Sequence, residues 1–165
     1  MHILSEESKE LVRVINEQRT NIIINPYRVW TNEKTPWVHF SPTTVNTHDM
    51  CVSLGIAIAT DLPFLDVCQS LGRHMALTGY KPDRTPCYSS YLEELGYQNI
   101  VEPIPTLKGK TSIGLVSLGF TNCIVITNSH LYPIVHGCVV DNWDSRKTRA
   151  IAVWVHHTEL ARMFA

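Results

Sequence analysis

The chain has 165 residues, 44% of them apolar and 18% charged, and a formal net charge of −1. That suits one globular domain with a real core, and it leaves no electrostatic case for binding nucleic acid or an anionic membrane. No apolar run approaches the ~18 residues of a membrane span, MHILSEESKE lacks the basic and apolar regions of a signal peptide, and five scattered cysteines without a CxxC fit a reducing cytoplasm better than a disulfide framework.

Ser5 to Gln18 reads as an amphipathic helix capped by Ser5, with Glu6 and Glu7 in its first turn and an apolar stripe of Leu11, Val12 and Ile15. That stripe is either core or a dimerisation or docking surface. Asn21 to Asn32 reads as extended. Asn32 to Thr47 reads as a loop, with Trp37 and Phe40 either plugging the core or facing a substrate as part of a lid.

NTHDMCVSLGIAIAT then switches abruptly from polar to apolar, and a helix capped by Thr47 or Asp49 would hold Cys51 in its first turn. Unpaired backbone N–H groups and the positive end of the helix dipole favour thiolate there. Asp61 reads as the cap of the next helix, whose stripe of Leu65, Cys68, Leu71 and Met75 is expected in the core and which Gly79 closes. Residues 80–90 read as a loop with a spectator thiol at Cys87, Tyr91 to Leu95 as a short helix ended by Gly96, and Thr111 to Leu118 as another short helix.

The most informative stretch is CIVITNSHLYPIVHGCVVDNWDSR, residues 123–146. Short β-branched runs broken by Asn, Ser and Gly predict antiparallel strands, with a hairpin turning at His136-Gly137. In that register Val135 faces Cys138, Tyr132 faces Asp141 and His130 faces Trp143, so alternation puts His130, Tyr132 and Asp141 on one face. A slip of one residue, through a longer loop or a bulge at Pro133, would bring Asn142 in instead. A histidine held by a carboxylate on a strand pair is the base half of a nucleophilic triad, and Cys51 is the matching nucleophile. Asn46 or His48, just upstream, is a candidate oxyanion donor. Arg149 to His157 reads as a final strand, in which His156 and His157 would face opposite ways, and Thr158 to Phe164 as a terminal helical turn.

The segment around Asp49 and Cys51, YLEELGY (91–97) and SHLYPIVHGCVVDNWDSR together resemble small phage-encoded papain-like or C39-like cysteine peptidases, over about residues 45–147. Two departures are Met50 between Asp49 and Cys51, and Pro133 inside the strand that follows His130. The resemblance implies a papain-like α+β fold with N-terminal helices on an antiparallel sheet, and Cys51 as nucleophile, His130 as base and Asp141 as orienter. It also implies hydrolysis of an amide bond (peptide, isopeptide or side-chain amide) on a protein or peptide substrate, no cofactor, and residence in the cytoplasm, the host's if phage-encoded.

The expected organisation is a single domain, 1–165. Residues 1–44 form an N-terminal extension, 45–147 the papain-like core and 148–165 a final strand and tail. Two rival readings stand beside the hydrolase. One is zinc held by some of His48, Cys51, His130, His136 and Asp141, which lack a second close-spaced pair. The other is an idle scaffold that binds and inhibits a host protein.

Overall fold

The computed structural model describes residues 4–17, 19–26, 28–30, 35–39 and 51–165, a mixed α+β arrangement. Helix α1 spans Glu6–Asn16 and is capped by Ser5, whose hydroxyl accepts the Ser8 N–H; Ile15 is buried and Leu11 packs beside it, so this stripe serves the core. Strands β1 (Arg28–Trp30) and β2 (Trp37–His39) follow. Three helices come next: α2 (Cys51–Thr60), α3 (Phe64–Thr78) and α4 (Thr85–Glu94). Strand β3 (Tyr97–Asn99), a 3₁₀ turn at Pro105–Leu107 and helix α5 (Ser112–Ser117, capped by Thr111) lead into β4 (Cys123–Ile126), β5 (Leu131–Val135), β6 (Cys138–Asp141) and β7 (Ala152–His156). Helix α6 (His157–Met163) closes the chain. No described helix is long and apolar enough to cross a membrane.

The described strands form one sheet in the order β1-β2-β6-β5-β4-β7-β3. Its four central strands are antiparallel neighbours, as the hydrophobic runs predict. The hairpin has the expected turn. His136 and Gly137 both have positive φ (49° and 74°), the two-residue geometry whose twist matches the flanking strands, and Val135 pairs with Cys138 and Ile134 with Val139.

Alternation sorts the strand residues onto two faces. Ile124, Ile126 and Leu131 pack with Val52, Ile56, Leu71, Tyr91 and Leu92 of α2, α3 and α4. Val125, Tyr132, Ile134, Val139 and Val153 pack on the other side with Leu107, Leu115 and Phe120. Burying some thirty apolar side chains, each contributing about 1.5–3 kcal/mol, is the main favourable term holding the layers together.

Several expectations are corrected. The sheet is mixed, because β2, inside the segment read as a loop, pairs parallel with β6, Val38 opposite Val140. Helices cover both faces of the sheet, since α5 and the Leu160–Met163 side of α6 pack opposite α2. Asp61 caps no helix. It has φ 58°, and its carboxylate accepts the N–H groups of Thr20, Asn21 and Ile22, clamping the segment after α1, while Pro63 occupies the cap position of α3.

The buried face of α3 is Val67, Leu71 and His74; Leu65 is 72% exposed and Met75 43%. Helix α4 starts at Thr85, six residues earlier than read, because a proline in the first turn is no obstacle to a helix. His156 and His157 do not diverge: β7 ends at the first and α6 begins at the second, so their rings lie 4.2 Å apart.

Candidate active site

The site lies where the first turn of α2 meets the start of β5 and the end of β6. Cys51 is the first residue of α2 and half-buried. Its helix approaches β5 closely enough that a Cβ on Gly55 would collide with the Leu131 side chain. A glycine inside a helix costs roughly 0.5–1 kcal/mol relative to alanine. Here it lets α2 lie against β5, so that Cys51, His130 and Leu131 line the same groove.

His130 directly precedes β5 and Asp141 ends β6. His130 Nε2 lies 2.6 Å from Asp141 Oδ2, and both side chains are only 7% exposed. With Nε2 turned to the carboxylate, Nδ1 is the ring nitrogen left for Cys51. Asp141 is itself held. Its Oδ1 accepts the Asn142 N–H at 2.8 Å and its Oδ2 accepts the Ser145 hydroxyl at 2.7 Å. Trp37 Nε1 donates to the Asp141 carbonyl at 3.2 Å. The Trp143 ring, 43% exposed, tilts over His130 with ring centres 4.7 Å apart, and Tyr132 stacks behind at 6.1 Å.

These contacts set the proton's position. Burial alone would raise the Cys51 thiol, but the His130 hydrogen bond, the Leu131 N–H and the imidazolium charge outweigh it and bring the thiol below its ordinary value. Burial alone would lower His130, but hydrogen bonds to Asp141 and Cys51 overcome it and push the ring up to about 9. A lowered thiol beside a raised imidazole shifts the pair toward thiolate and imidazolium. The other buried thiols contrast with it. Burial pushes Cys123, Cys138 and Cys87 up, and Cys87 Sγ points at the Leu71 carbonyl.

A groove of about 460 Å3 opens beside the thiol. Val52, Tyr88, Ile126 and Leu131 give it an apolar floor, and Arg84 and Ser129 belong to its rim. On the other side of Cys51, against Gly55, Pro133 and Asn142, there is room for only about 10 Å3.

The structure therefore brings Cys51, His130 and Asp141 together and contributes the Asn142 N–H to the same carboxylate. Asn46 and His48, and with them the caps expected at Thr47 or Asp49, lie outside the described residues. Among the described residues no group of three or more His, Cys, Asp or Glu side chains is placed to hold a metal ion, and His136 sits in the hairpin turn with its N–H on Asn122. Gly55, the Leu131 N–H and Ser145 are contributors the sequence reading did not single out. A lone glycine in the run after Cys51 is the one signal that pointed to close packing there. Comparison with protein-family models, with curated proteins and with solved structures finds no match.

Proposed function

We propose that this protein is a papain-like thiol hydrolase acting on an amide bond of a peptide or protein, through Cys51, His130 and Asp141. One observation carries this reading: Cys51 opens a helix and lines one groove with a histidine that is anchored on a buried carboxylate. The thiolate attacks the amide carbonyl and the carbonyl electron pair moves onto oxygen. The N–H groups of the first turn of α2, with no partners inside the helix, are suited to stabilise that charge. His130 passes its proton from Nδ1 to the leaving nitrogen as the C–N bond breaks and a thioester forms. Water, losing its proton to His130, then attacks the thioester, and expulsion of the Cys51 thiolate regenerates the pair. Asp141 takes no proton; it holds the ring and stabilises its charged form.

The test is site-resolved alkylation with iodoacetamide, together with turnover of a fluorogenic peptide library. Cys51 is expected to label first among the five thiols and at a pH well below that of an ordinary thiol, and Cys51→Ala to abolish turnover while leaving stability within about 1–2 kcal/mol of wild type. Turnover should rise on the acid side as thiolate forms and fall as His130 loses its proton near about 9. Labelling of Cys51 no faster than of half-buried Cys68, or an active Cys51→Ala protein, would end the proposal.

A further inference from the structure

We propose that Ser145 is a positioning residue of this site, a fourth member that fixes the Asp141 carboxylate so that His130 stays aimed at Cys51. The inference rests on the reading of Cys51 and His130 as the reactive pair. Ser145 is fully buried, and its hydroxyl donates to Asp141 Oδ2 at 2.7 Å, the same oxygen that His130 Nε2 meets at 2.6 Å. Ser145 lines neither the groove nor the crevice beside Cys51, so it acts only through Asp141.

Its own position is fixed from several directions. The Ser145 carbonyl accepts both the N–H and the hydroxyl of Thr148, at 3.0 and 2.6 Å. The neighbouring Arg146 grips Asp144 through Nε and Nη2 at 2.8 and 2.9 Å, and donates through Nη1 to the Thr35 carbonyl at 3.1 Å. The Ser112 hydroxyl, at the start of α5, donates to the Arg146 carbonyl at 3.0 Å. The turn from Asp144 to Thr148 is thus tied to the approach to β2 and to α5, and it presents one hydroxyl to one carboxylate oxygen.

The mechanical consequence follows from counting donors. With Asn142 N–H on Oδ1 and Ser145 on Oδ2, both from the protein frame, the carboxylate cannot turn about its Cβ–Cγ bond. The ring bonded to it inherits that orientation. Without the serine hydroxyl, only Asn142 N–H and His130 itself hold the group, and Asp141, 6% exposed, has little access to water that could replace the lost donor. The carboxylate and ring would then move together, and the time His130 spends on the thiol would fall.

The experiment uses the full chain with Ser145→Ala, which removes one oxygen and fills no space, and Ser145→Thr, which keeps the hydroxyl. Iodoacetamide labelling of Cys51 is followed from pH 4 to 9 alongside an NMR titration of His130 and the thermal midpoint. In Ser145→Ala the acid limb of Cys51 labelling should move up by about one pH unit, slowing labelling near neutral pH roughly tenfold, and the His130 titration should move down from near about 9. Ser145→Thr should restore both to within about twofold. An alanine variant that melts earlier but keeps the wild-type acid limb, or shifts it downward, would overturn the positioning role while leaving the Cys51 reading intact. A wild-type protein with no acid limb at all would fail the underlying reading and this inference with it.

Discussion

Among the described residues, His130 and His74 each sit beside a carboxylate and a side chain that carries a potential nucleophile. His130 is hydrogen-bonded to Asp141 and lines one groove with Cys51. His74, on α3, bridges Glu94 and Ser90 of α4, with Nε2 3.0 Å from Glu94 Oε2 and Nδ1 2.7 Å from Ser90 Oγ. As lists of residue types the two are nearly equivalent, but as environments they differ in three ways. Cys51 begins its helix, where N–H groups have no helical partner, whereas Ser90 lies inside α4, where the backbone donors are consumed. Cys51 borders a groove of about 460 Å3, whereas Ser90 lines neither that groove nor the other cavity of comparable size. Asp141 is buried and its carboxylate oxygens take donors from His130, Ser145 and Asn142, whereas the Glu94 side chain is 45% exposed and chelated by Arg73 at 3.1 and 2.9 Å. One trio has room for a substrate and donors for an oxyanion. The other is a clasp between α3 and α4.

The comparison breaks most visibly at Asp141. Burial on its own lowers His130, and the Asp141 hydrogen bond heads the interactions that raise it. Asp141→Asn keeps the shape and an acceptor for Ser145 but removes the charge. The His130 titration should then fall from about 9 to its ordinary 6.5 or below, and Cys51 labelling near neutral pH should slow by roughly 10–100-fold, since each pH unit is a factor of ten. An unchanged titration, with labelling lost instead in Asn142→Ala, would move the orienting role one residue along the chain.

The legible part of this site was the part with a period. The β-branched runs, the His136-Gly137 turn and alternation together placed His130 and Asp141 on one face, and the polar-to-apolar switch placed Cys51 at a helix start. Strand β1 falls in the segment read as extended, but β2 and β3 were not legible as strands, because three residues carry no alternation and they exist through pairing with neighbours distant in sequence. The face of α3 was misread because His74 counts as polar in a stripe, yet it is buried against Ser90 and Glu94. Asp61 looked like a cap because Asp-Leu-Pro is a common helix start, but its carboxylate serves three N–H groups about forty residues earlier. Ser145 lies in an irregular turn, where no periodicity assigns a side chain to a partner.

A smaller effect is expected at the clasp. His74→Ala leaves Ser90 and Glu94 without their shared partner and opens space at a site 4% exposed. The cost should be about 2–4 kcal/mol by urea unfolding, from lost packing and lost hydrogen bonds. Cys51 labelling of the folded variant should stay within about twofold of wild type, since the clasp meets the core around Cys51 through the Tyr91 ring and, among the described residues, no hydrogen bond joins it to the thiol. A drop of about tenfold or more at unchanged structure would mean that the two histidines are coupled through α4, which carries Tyr88 at the groove floor.

The smallest effect separates the two carboxylates by their pH dependence. The hydrogen bond from Arg73, and then that from His74, bring Glu94 down from 4.5 to about 2. A depressed carboxylate adds stability that is complete above its ordinary value and is lost as pH falls through the folded value. Wild type and Glu94→Gln should therefore differ in urea midpoint above pH 4.5 and converge as pH approaches about 2. Because the group is half-exposed, the difference should be modest and should shrink further in about 1 M salt, where screening acts within a few ångströms. The Cys51 acid limb should be the same in both proteins, since Glu94 reaches neither His130 nor the groove. A gap that persists unchanged down to pH 2 would show that Glu94 stabilises the α3–α4 contact as a neutral hydrogen-bonding group and not through its charge. A shifted Cys51 limb would break the separation between clasp and site.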